Sequence, residues 1–196
     1  IFSILSPKFF AYSSLENIVK QASYIGILAV GMTFVLLTAG IDLSVGSNMY
    51  LSGVVAGLAI QNFGLPVYAA LMLCLLCGFA FGWINSLLIT RLKIFPFVAT
   101  LGTMVAGRGL ALLLTKSQAV SFPDRAIRMG TIRVGNLVPL PIVIFALVVL
   151  VAYLFLSLTQ TGRQIYAVGN DPKAAQKDGI RTNSVLQKTY IICGLL

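Results

Sequence analysis

The chain carries several apolar stretches that are each about as long as a bilayer is thick. A membrane-spanning helix needs about 20 mostly apolar residues. Five stretches approach this length, and a sixth begins near Thr189; the five are 22–41, 43–60, 65–90, 97–115 and 140–159. Backbone groups in lipid must bond within their own segment, so these stretches predict helices. The expected fold class is all-α, a polytopic transmembrane helix bundle with about five full spans and the start of a sixth, in one domain over 1–196.

The composition supports a membrane protein. Hydrophobic residues make up 58% of the 196 residues and charged residues only 10%, whereas a typical soluble domain is about 25% charged. So few charges cannot cover a surface that faces water. The same numbers exclude an intrinsically disordered chain, which needs low hydrophobicity and high charge.

Few residues are of the kinds that carry catalysis or bind metals. The chain has no histidine, five acidic residues and three cysteines, and each cysteine lies in an apolar stretch. Histidine is the commonest metal ligand and general base, so its absence weighs against both roles. No pair of acids and no Ser/Lys arrangement forms a convincing catalytic site, so an intramembrane enzyme is poorly supported.

The basic residues are divided almost evenly between the two sides of the membrane. The chain has 14 lysines and arginines. If 91–96 and 160–188 share one side, that side carries seven of them and the other side six, while Arg108 lies within a span. Such a balance does not orient the chain by the positive-inside rule. The net charge of +9 therefore indicates charge at both interfaces rather than a nucleic-acid surface, and the expected partner is the lipid bilayer.

Two predicted spans contain glycines four residues apart. These pairs are Gly53 with Gly57 and Gly78 with Gly82. The spacing lets two helix backbones approach closely within lipid. It favours a tightly packed bundle over a loosely held anchor.

The most unusual segment interrupts the apolar residues between 22 and 60. Residues 39–47 read AGIDLSVGS, with one acid among small and polar residues. One interpretation is a discontinuous helix that ends at Gly40 and restarts with Asp42 or Ser44 as the cap, a break tolerated at membrane depth only beside protein or a cavity. The other is an interfacial hairpin in which Asp42 is a hydrated cap.

Two further polar residues lie inside predicted spans. Arg108 lies within the fourth predicted span, 97–115. One interpretation is that it snorkels to the interface and makes a structural bond. The other is that it pairs with a carboxylate or lines a polar path. Asn85 in the third span is predicted to hydrogen-bond a neighbouring helix.

Residues 170–180 encode a short helix with a defined start and end. Asp171 suits the N-cap and Pro172 the first helical position, while Ala174 and Ala175 favour helix and Gly179 suits the stop. About two turns are too short to be stable alone. This helix therefore needs a surface on which to dock.

The chain begins at Ile1 rather than Met and stops at Leu196, within a new apolar stretch. We expect it to be an internal fragment of a longer membrane protein.

Three segments resemble a known family. Residues 40–46, GIDLSVG, resemble a signature of permease subunits of bacterial ABC importers for monosaccharides of the ribose/xylose/galactose type. Residues 85–89 with 96–103, continued by Arg108 and Gly109, resemble a second family stretch, and 161–180 a third. The third is also similar to the EAA-xxx-G coupling loop of ABC permeases, with Lys173 in place of the usual glutamate and no Leu-Pro after the glycine.

The resemblance implies a multi-pass subunit of the bacterial inner membrane that is not itself an enzyme and binds no cofactor. Its implied partners are a second permease copy, identical or not, a periplasmic sugar-binding protein and a cytoplasmic ABC ATPase that carries the ATP and Mg²⁺. Residues 160–188 would then be a cytoplasmic coupling loop, and 116–139 would face the periplasm. The ATPase-coupling residues would be Asp171, Pro172, Lys173, Ala174, Ala175, Asp178 and Gly179.

The permease would move a monosaccharide along a weakly polar path, since tight binding would hinder release. We expect Asp42, Ser44, Asn48 and Arg108 to lie near that path. The alternative function is an ion-gradient-driven secondary transporter of a small polar solute. That function needs buried acids, and Asp42 is the only acid within the apolar stretches.

Overall fold

A computed structural model describes residues 11–122, 127, 132–135 and 138–196, and the chain in these ranges is mostly helical. Part of the segment 116–139, which is predicted to face the periplasm, lies outside the described residues, including Pro123 and Gly130. The helices in chain order are α1 (Tyr12–Leu37), α2 (Val45–Phe63), α3 (Val67–Thr90), α4 (Pro96–Thr115), α5 (Leu140–Leu158), α6 (Gln160–Asn170), α7 (Pro172–Lys177) and α8 (Thr182–Leu195).

Four of the described helices are long and apolar enough to cross a membrane, namely α1, α3, α4 and α5. They correspond to four of the five predicted full spans. The other, at 43–60, corresponds to α2, which has 19 residues but is not among the four. It carries Ser47, Asn48 and Ser52 among its apolar residues. The predicted sixth span corresponds to α8, which begins at Thr182, earlier than expected.

Helices α3 and α8 pack with their backbones in close contact. A Cβ atom placed on Gly78 would overlap the carbonyl oxygen of Gly194, and one on Gly82 would overlap the carbonyl oxygen of Tyr190. The glycines therefore let the two backbones meet, as their spacing predicts. We call this contact the α3–α8 seam.

A second packed region holds the short helices against the long ones. One buried cluster joins Phe34 of α1 to Ile165 and Val168 of α6, Ala175 of α7 and Val185 of α8. Residues 160–188, predicted to be a loop, are thus largely helical. Helix α7 lies within the short helix predicted over 170–180, whereas the amphipathic α6 was not predicted, and its apolar side chains are buried in this cluster.

The two ends of the bundle can be told apart by their contacts. Arg91 lines a cavity of about 530 Å³ together with residues of the 176–187 segment, so 91–96 and 160–188 share one end, the arrangement that was assumed in counting the charges. At the other end, a two-stranded antiparallel hairpin, β1 (Arg133–Val134) with β2 (Val138–Pro139), precedes α5. There the Arg133 side chain donates to Glu16 of α1 at 3.0 Å.

The break between the first two helices is longer than predicted. Helix α1 ends at Leu37 rather than at Gly40, and Ala39 adopts the left-handed conformation with φ 56°. Ser44 precedes α2, but its side chain makes no capping hydrogen bond. Asp42 bonds Ser44 instead of the first turn of α2. Ser44 is thus the N-cap residue of α2, one of the two predicted, but its side chain bonds Asp42 and not the helix.

Candidate functional site

The break between α1 and α2 is organised around the Asp42 carboxylate. One of its oxygens, Oδ1, accepts a hydrogen bond from the Ser44 backbone N–H at 2.8 Å and another from the Ser44 hydroxyl at 2.6 Å. Both bonds are local, between residues two apart. They fix the chain in a tight turn immediately before α2.

Asn85 of α3 connects this turn to two other helices. Its amide nitrogen donates to the Ser44 hydroxyl at 2.7 Å and lies 3.5 Å from Asp42 Oδ2. Its amide oxygen accepts a hydrogen bond from the Thr103 hydroxyl of α4 at 2.7 Å. The predicted interhelical role of Asn85 is confirmed, and the four residues Asp42, Ser44, Asn85 and Thr103 form what we call the Asn85 network.

The Asn85 network is enclosed by protein. Asp42 is 4% exposed, and Ser44 and Asn85 are also buried. Within the described ranges both ion pairs are made by Glu16, with Lys20 and Arg133, so no cation is paired with Asp42. Neutral donors therefore satisfy the carboxylate, as a buried polar group requires. The arrangement is suited to locking the break against α3 and α4.

Tyr190 of α8 closes the break from the other side. Its hydroxyl donates to the Ile41 carbonyl at 3.3 Å, and a Cβ on Gly40 would lie 2.7 Å from that hydroxyl oxygen. Gly40 thus leaves room for the tyrosine. The non-helical segment is therefore held by α3, α4 and α8 within the bundle, which agrees with the discontinuous-helix interpretation and not with a hydrated interfacial hairpin.

The four residues predicted near the solute path do not all come together. Asp42 and Ser44 share the Asn85 network, whereas Asn48 donates to the Gly194 carbonyl at 2.8 Å and accepts from Ser52 at 3.2 Å. Arg108 lies exposed on α4, with no ion pair to any described acid. The structure therefore gives Arg108 no carboxylate partner among those acids, and the path role of all four stays a prediction.

Helix α7 has the caps that its sequence predicts. The Asp171 side chain accepts from the backbone N–H groups of Lys173 at 2.8 Å and Ala174 at 3.1 Å. At the other end Gly179 has φ 82°, and the Ile180 N–H bonds back to the Ala175 carbonyl at 3.0 Å. This is the glycine-terminated stop expected from the sequence.

Helix α7 is attached to the bundle by one side. Ala175 is 3% exposed and packs in the cluster with Phe34, Ile165, Val168 and Val185. The other five residues of α7, along with Asp171, Asp178 and Gly179, are exposed. The helix thus presents an outer surface at the same end as Arg91 and is attached to the bundle through the packed cluster.

Two members of the site were not predicted from the sequence. Thr103 bonds Asn85, from which it is 18 residues away in sequence, and Tyr190 bonds Ile41 of the break, from which it is 149 residues away. The signal for Thr103 was weak: Thr100, Thr103 and Gly107 are small residues spaced along one face of α4. In the part of the chain that the structure describes, no group of three His, Cys, Asp or Glu residues lies close enough to hold a metal ion.

Comparisons with known proteins place these features in a family. A family described as the branched-chain amino acid transport system / permease component matches residues 14–196. The chain is 37% identical over its full length to the ribose import permease protein RbsC of Haemophilus influenzae, and 39% identical over 94% of its length to the galactofuranose transporter permease protein YtfT of Escherichia coli. It is 33% identical over 98% of its length to the fructose import permease protein FrcC of Rhizobium meliloti.

The chain spans 62%, 54% and 56% of the lengths of these three relatives. No solved structure matches it.

Proposed function

The chain belongs to the family of the branched-chain amino acid transport system / permease component, and from this membership we propose that it is the transmembrane permease part of an ATP-driven importer. As a member with several apolar spans, it is a multi-pass protein of the inner membrane. The permease itself would carry no catalytic residue and bind no cofactor. ATP and Mg²⁺ would be bound by a separate ATPase subunit.

The proposed cargo is a monosaccharide. Relatives that are 33–39% identical are named for the import of ribose and fructose and the transport of galactofuranose. The family description instead mentions branched-chain amino acids. Because the relatives cover nearly the whole chain, their names guide the proposal, and an amino acid serves as the contrasting cargo in the test.

One observation carries the proposal, namely the way in which α7 is held. A helix of six residues cannot be stable alone, yet it is capped at both ends, fixed by the buried Ala175 and exposed elsewhere. Such a helix is suited to bind a partner on its outer surface. It would pass a displacement to α1, α6 and α8 through the packed cluster, because packed cores move as units rather than deform continuously.

The proposed mechanism follows from this attachment. The outer surface of α7 would sit in a groove of the cytoplasmic ATPase, and closure of the ATPase dimer on ATP would displace α7. The bundle would then rock between outward-open and inward-open states against a second permease copy. Residues 160–188 would be cytoplasmic and 116–139 periplasmic, where a sugar-binding protein would deliver the cargo.

Substitution of Ala174 by glutamate tests the docking surface. Ala174 is exposed on α7, so Ala174→Glu should leave folding intact while placing a charge in the proposed contact. We expect uptake of radiolabelled ribose to fall at least tenfold in cells that hold the complete transporter. Co-purification of the ATPase with the permease should fall with it.

The control is Asn62→Glu, which places the same charge at an exposed residue of the opposite end that lines neither cavity of the bundle. This variant should keep both ribose uptake and ATPase co-purification. Normal uptake and co-purification by Ala174→Glu, at equal amounts in the membrane, would show that α7 is not the docking surface. Radiolabelled galactose, fructose and leucine, used in the same cells, separate a sugar permease from an amino acid permease.

Burial of Asp42 is the observation that favours the alternative, an ion-gradient-driven secondary transporter. An ionisable group inside a membrane protein is a candidate ion site. However, Asp42 is already bonded to donors from Ser44 and Asn85, which suits a structural lock better than a cation site. Uptake that persists after ATP depletion and is abolished by an uncoupler would establish the alternative.

A further inference from the structure

Helix α2 differs from the other long helices in its surroundings. It lies within the bundle, packed against α3 and α4, but it falls outside the group of described helices that are apolar enough to span a membrane. Ser47, Asn48 and Ser52 lie on its first two turns. Polar groups at this depth need either protein partners or water.

One cavity lies between α2 and α8 beside α3. It has a volume of about 250 Å³, and its lining includes Asn48, Ser52, Cys74 and Gly194. The Asn48 amide donates one hydrogen bond, to the Gly194 carbonyl. A primary amide has two N–H donors, so a second donor is left for a group in the cavity.

A second cavity lies on the α4 side of α2. It has a volume of about 350 Å³, and its lining includes Tyr50, Thr115, Gln118 and Phe122. Its outer wall is the segment of residues 116–122, which we call the strap. Lys116 and Ser117 both adopt left-handed φ values, 50° and 60°, and this turns the strap back across α2.

The strap is held on α2 at two points. The Gln61 amide donates to the Ser121 carbonyl at 2.6 Å. One turn earlier, Gly57 leaves room for Val120 and Phe122, which a Cβ at that position would crowd. The second cavity is therefore a built space between α2, the end of α4 and the strap.

Met49 and Gly53 line both cavities. They lie one turn apart on the exposed side of α2, where Met49 is 55% exposed and the space above Gly53 is empty to 4 Å. Tyr50, 42% exposed, stands beside them. The two cavities thus flank one exposed surface, the α2 face, formed by Met49, Tyr50 and Gly53.

A lipid-facing helix has no use for polar side chains such as Asn48 and Ser52 beside a cavity on its first two turns. Polar groups at membrane depth mark a water-filled space or a path. We propose that the α2 face lines the water-filled solute path, with Gly53 as the point where a side chain would obstruct passage. This assigns the path to a surface that lies outside the buried Asn85 network.

The groups around the α2 face fit a hydroxyl-rich ring, a cargo assignment that rests on the proposed function. The Tyr50 ring offers an apolar surface to the C–H side of a sugar, and the Asn48 and Gln118 amides offer donors and acceptors to its hydroxyl groups. The contacts are few, which suits passage better than tight retention.

The first test measures access of water to Gly53 and does not depend on the cargo. Gly53→Cys is treated in membranes of the complete transporter with a positively charged methanethiosulfonate reagent, and the unsubstituted chain gives the background of the native cysteines. We expect modification at least tenfold faster than at Leu150→Cys, a position 53% exposed on the very apolar α5. Equal slow rates at both positions, with fast modification only by an apolar reagent, would show that the α2 face meets lipid and would overturn the proposal.

The second test measures obstruction. Gly53→Leu should lower uptake of radiolabelled ribose at least tenfold, while Gly53→Ala should stay within twofold of the unsubstituted chain. Gly102→Leu is the matched control, because Gly102 on α4 is equally open and lines neither cavity. Unchanged uptake by Gly53→Leu, or an equal loss in Gly102→Leu, would overturn the path assignment.

The two tests separate this inference from the proposed function. If the unsubstituted chain carries no ribose but Gly53→Cys is modified rapidly, the α2 face stands and the cargo is wrong. If uptake depends on ATP but Gly53→Cys is protected from the charged reagent, the proposed function stands and the path lies elsewhere.

Discussion

Gly78 and Gly82 let the backbones of α3 and α8 touch. Gly53 and Gly57 of α2 have the same four-residue spacing, but they face a cavity and the strap. A side chain at Gly78 or Gly82 would meet the backbone of α8. A Cβ at Gly53 would meet nothing within 4 Å, and the atoms nearest to one at Gly57 belong to side chains of the strap. The two pairs are alike in sequence and opposite in surroundings.

The difference shows that glycine spacing permits a close approach without producing one. At the α3–α8 seam, Gly194 of α8 faces the glycines of α3. The two helices are also joined by a hydrogen bond from Gln187 to the Thr90 hydroxyl at 3.1 Å. On α2 no helix takes that place among the described residues. We therefore expect substitutions at the seam to act on stability and those on the α2 face to act on transport.

The largest effect is expected for Gly82→Val. Its side chain would overlap the backbone of Tyr190 and Ile191, which cannot move aside as a flexible side chain can. Overpacking commonly costs about 1–3 kcal/mol, and the backbone overlap here places the expected loss at about 3 kcal/mol or more. Thermal unfolding of the purified protein in detergent measures it.

Gly102→Val is the control for this prediction, because the same side chain at Gly102 of α4 enters open space. It should change the unfolding temperature little. Similar unfolding temperatures for Gly82→Val and the unsubstituted chain would mean that the seam is looser than the structure shows.

The next effect concerns Asp42→Ala. Removing the carboxylate leaves the Ser44 N–H, the Ser44 hydroxyl and the Asn85 amide short of an acceptor in a buried space. An unsatisfied buried polar group costs about 1–3 kcal/mol, and three such groups at the low end of that range give an expected loss of about 3 kcal/mol. Asp42→Asn keeps one acceptor oxygen and should recover part of that loss. Equal stability of all three proteins would show that the network does not hold the break.

The local part of this architecture could be predicted from the sequence. The limits of α7 follow from Asp171, Pro172 and Gly179, because caps depend on residues within one turn. The α1–α2 break was predicted in place but not in detail. Its end point depends on Tyr190 and Asn85, which reach it from distant elements.

The same distinction applies to the candidate site. Asn85 was predicted as an interhelical residue because an amide inside an apolar span needs a partner. Its partner Thr103 could not be predicted, because a threonine in a helix usually bonds the preceding turn, as Thr33 does with the Ala29 carbonyl at 2.8 Å. Likewise, nothing in the spacing of Gly53 and Gly57 indicates that no helix covers the former.

Thr103→Val tests how much one hydrogen bond between α4 and the rest of the Asn85 network contributes to stability. Valine has the shape of threonine but donates nothing to the Asn85 amide oxygen. A net hydrogen bond contributes about 0.5–1.5 kcal/mol, and we expect a loss of about 1 kcal/mol in detergent unfolding. The control is Thr33→Val, which loses only a bond within its own helix and should be close to neutral. Equal effects of the two changes would contradict the interhelical role of Thr103.

The smallest effect, and the only one with opposite sign, is expected for Gly53→Ala. Glycine inside a helix is less favourable than alanine by about 0.5–1 kcal/mol, and the open space above Gly53 accepts a methyl group without contact. Gly53→Ala should therefore raise the free energy of unfolding slightly, whereas Gly78→Ala should lower it, because that methyl group would overlap the Gly194 carbonyl. Unfolding of the two single variants in the same detergent makes the comparison. A higher free energy of unfolding in both variants would mean that the seam has room for a methyl group. A lower free energy of unfolding in both would mean that the α2 face is packed against another group. In that case the α2 face could not line a path that is open to water.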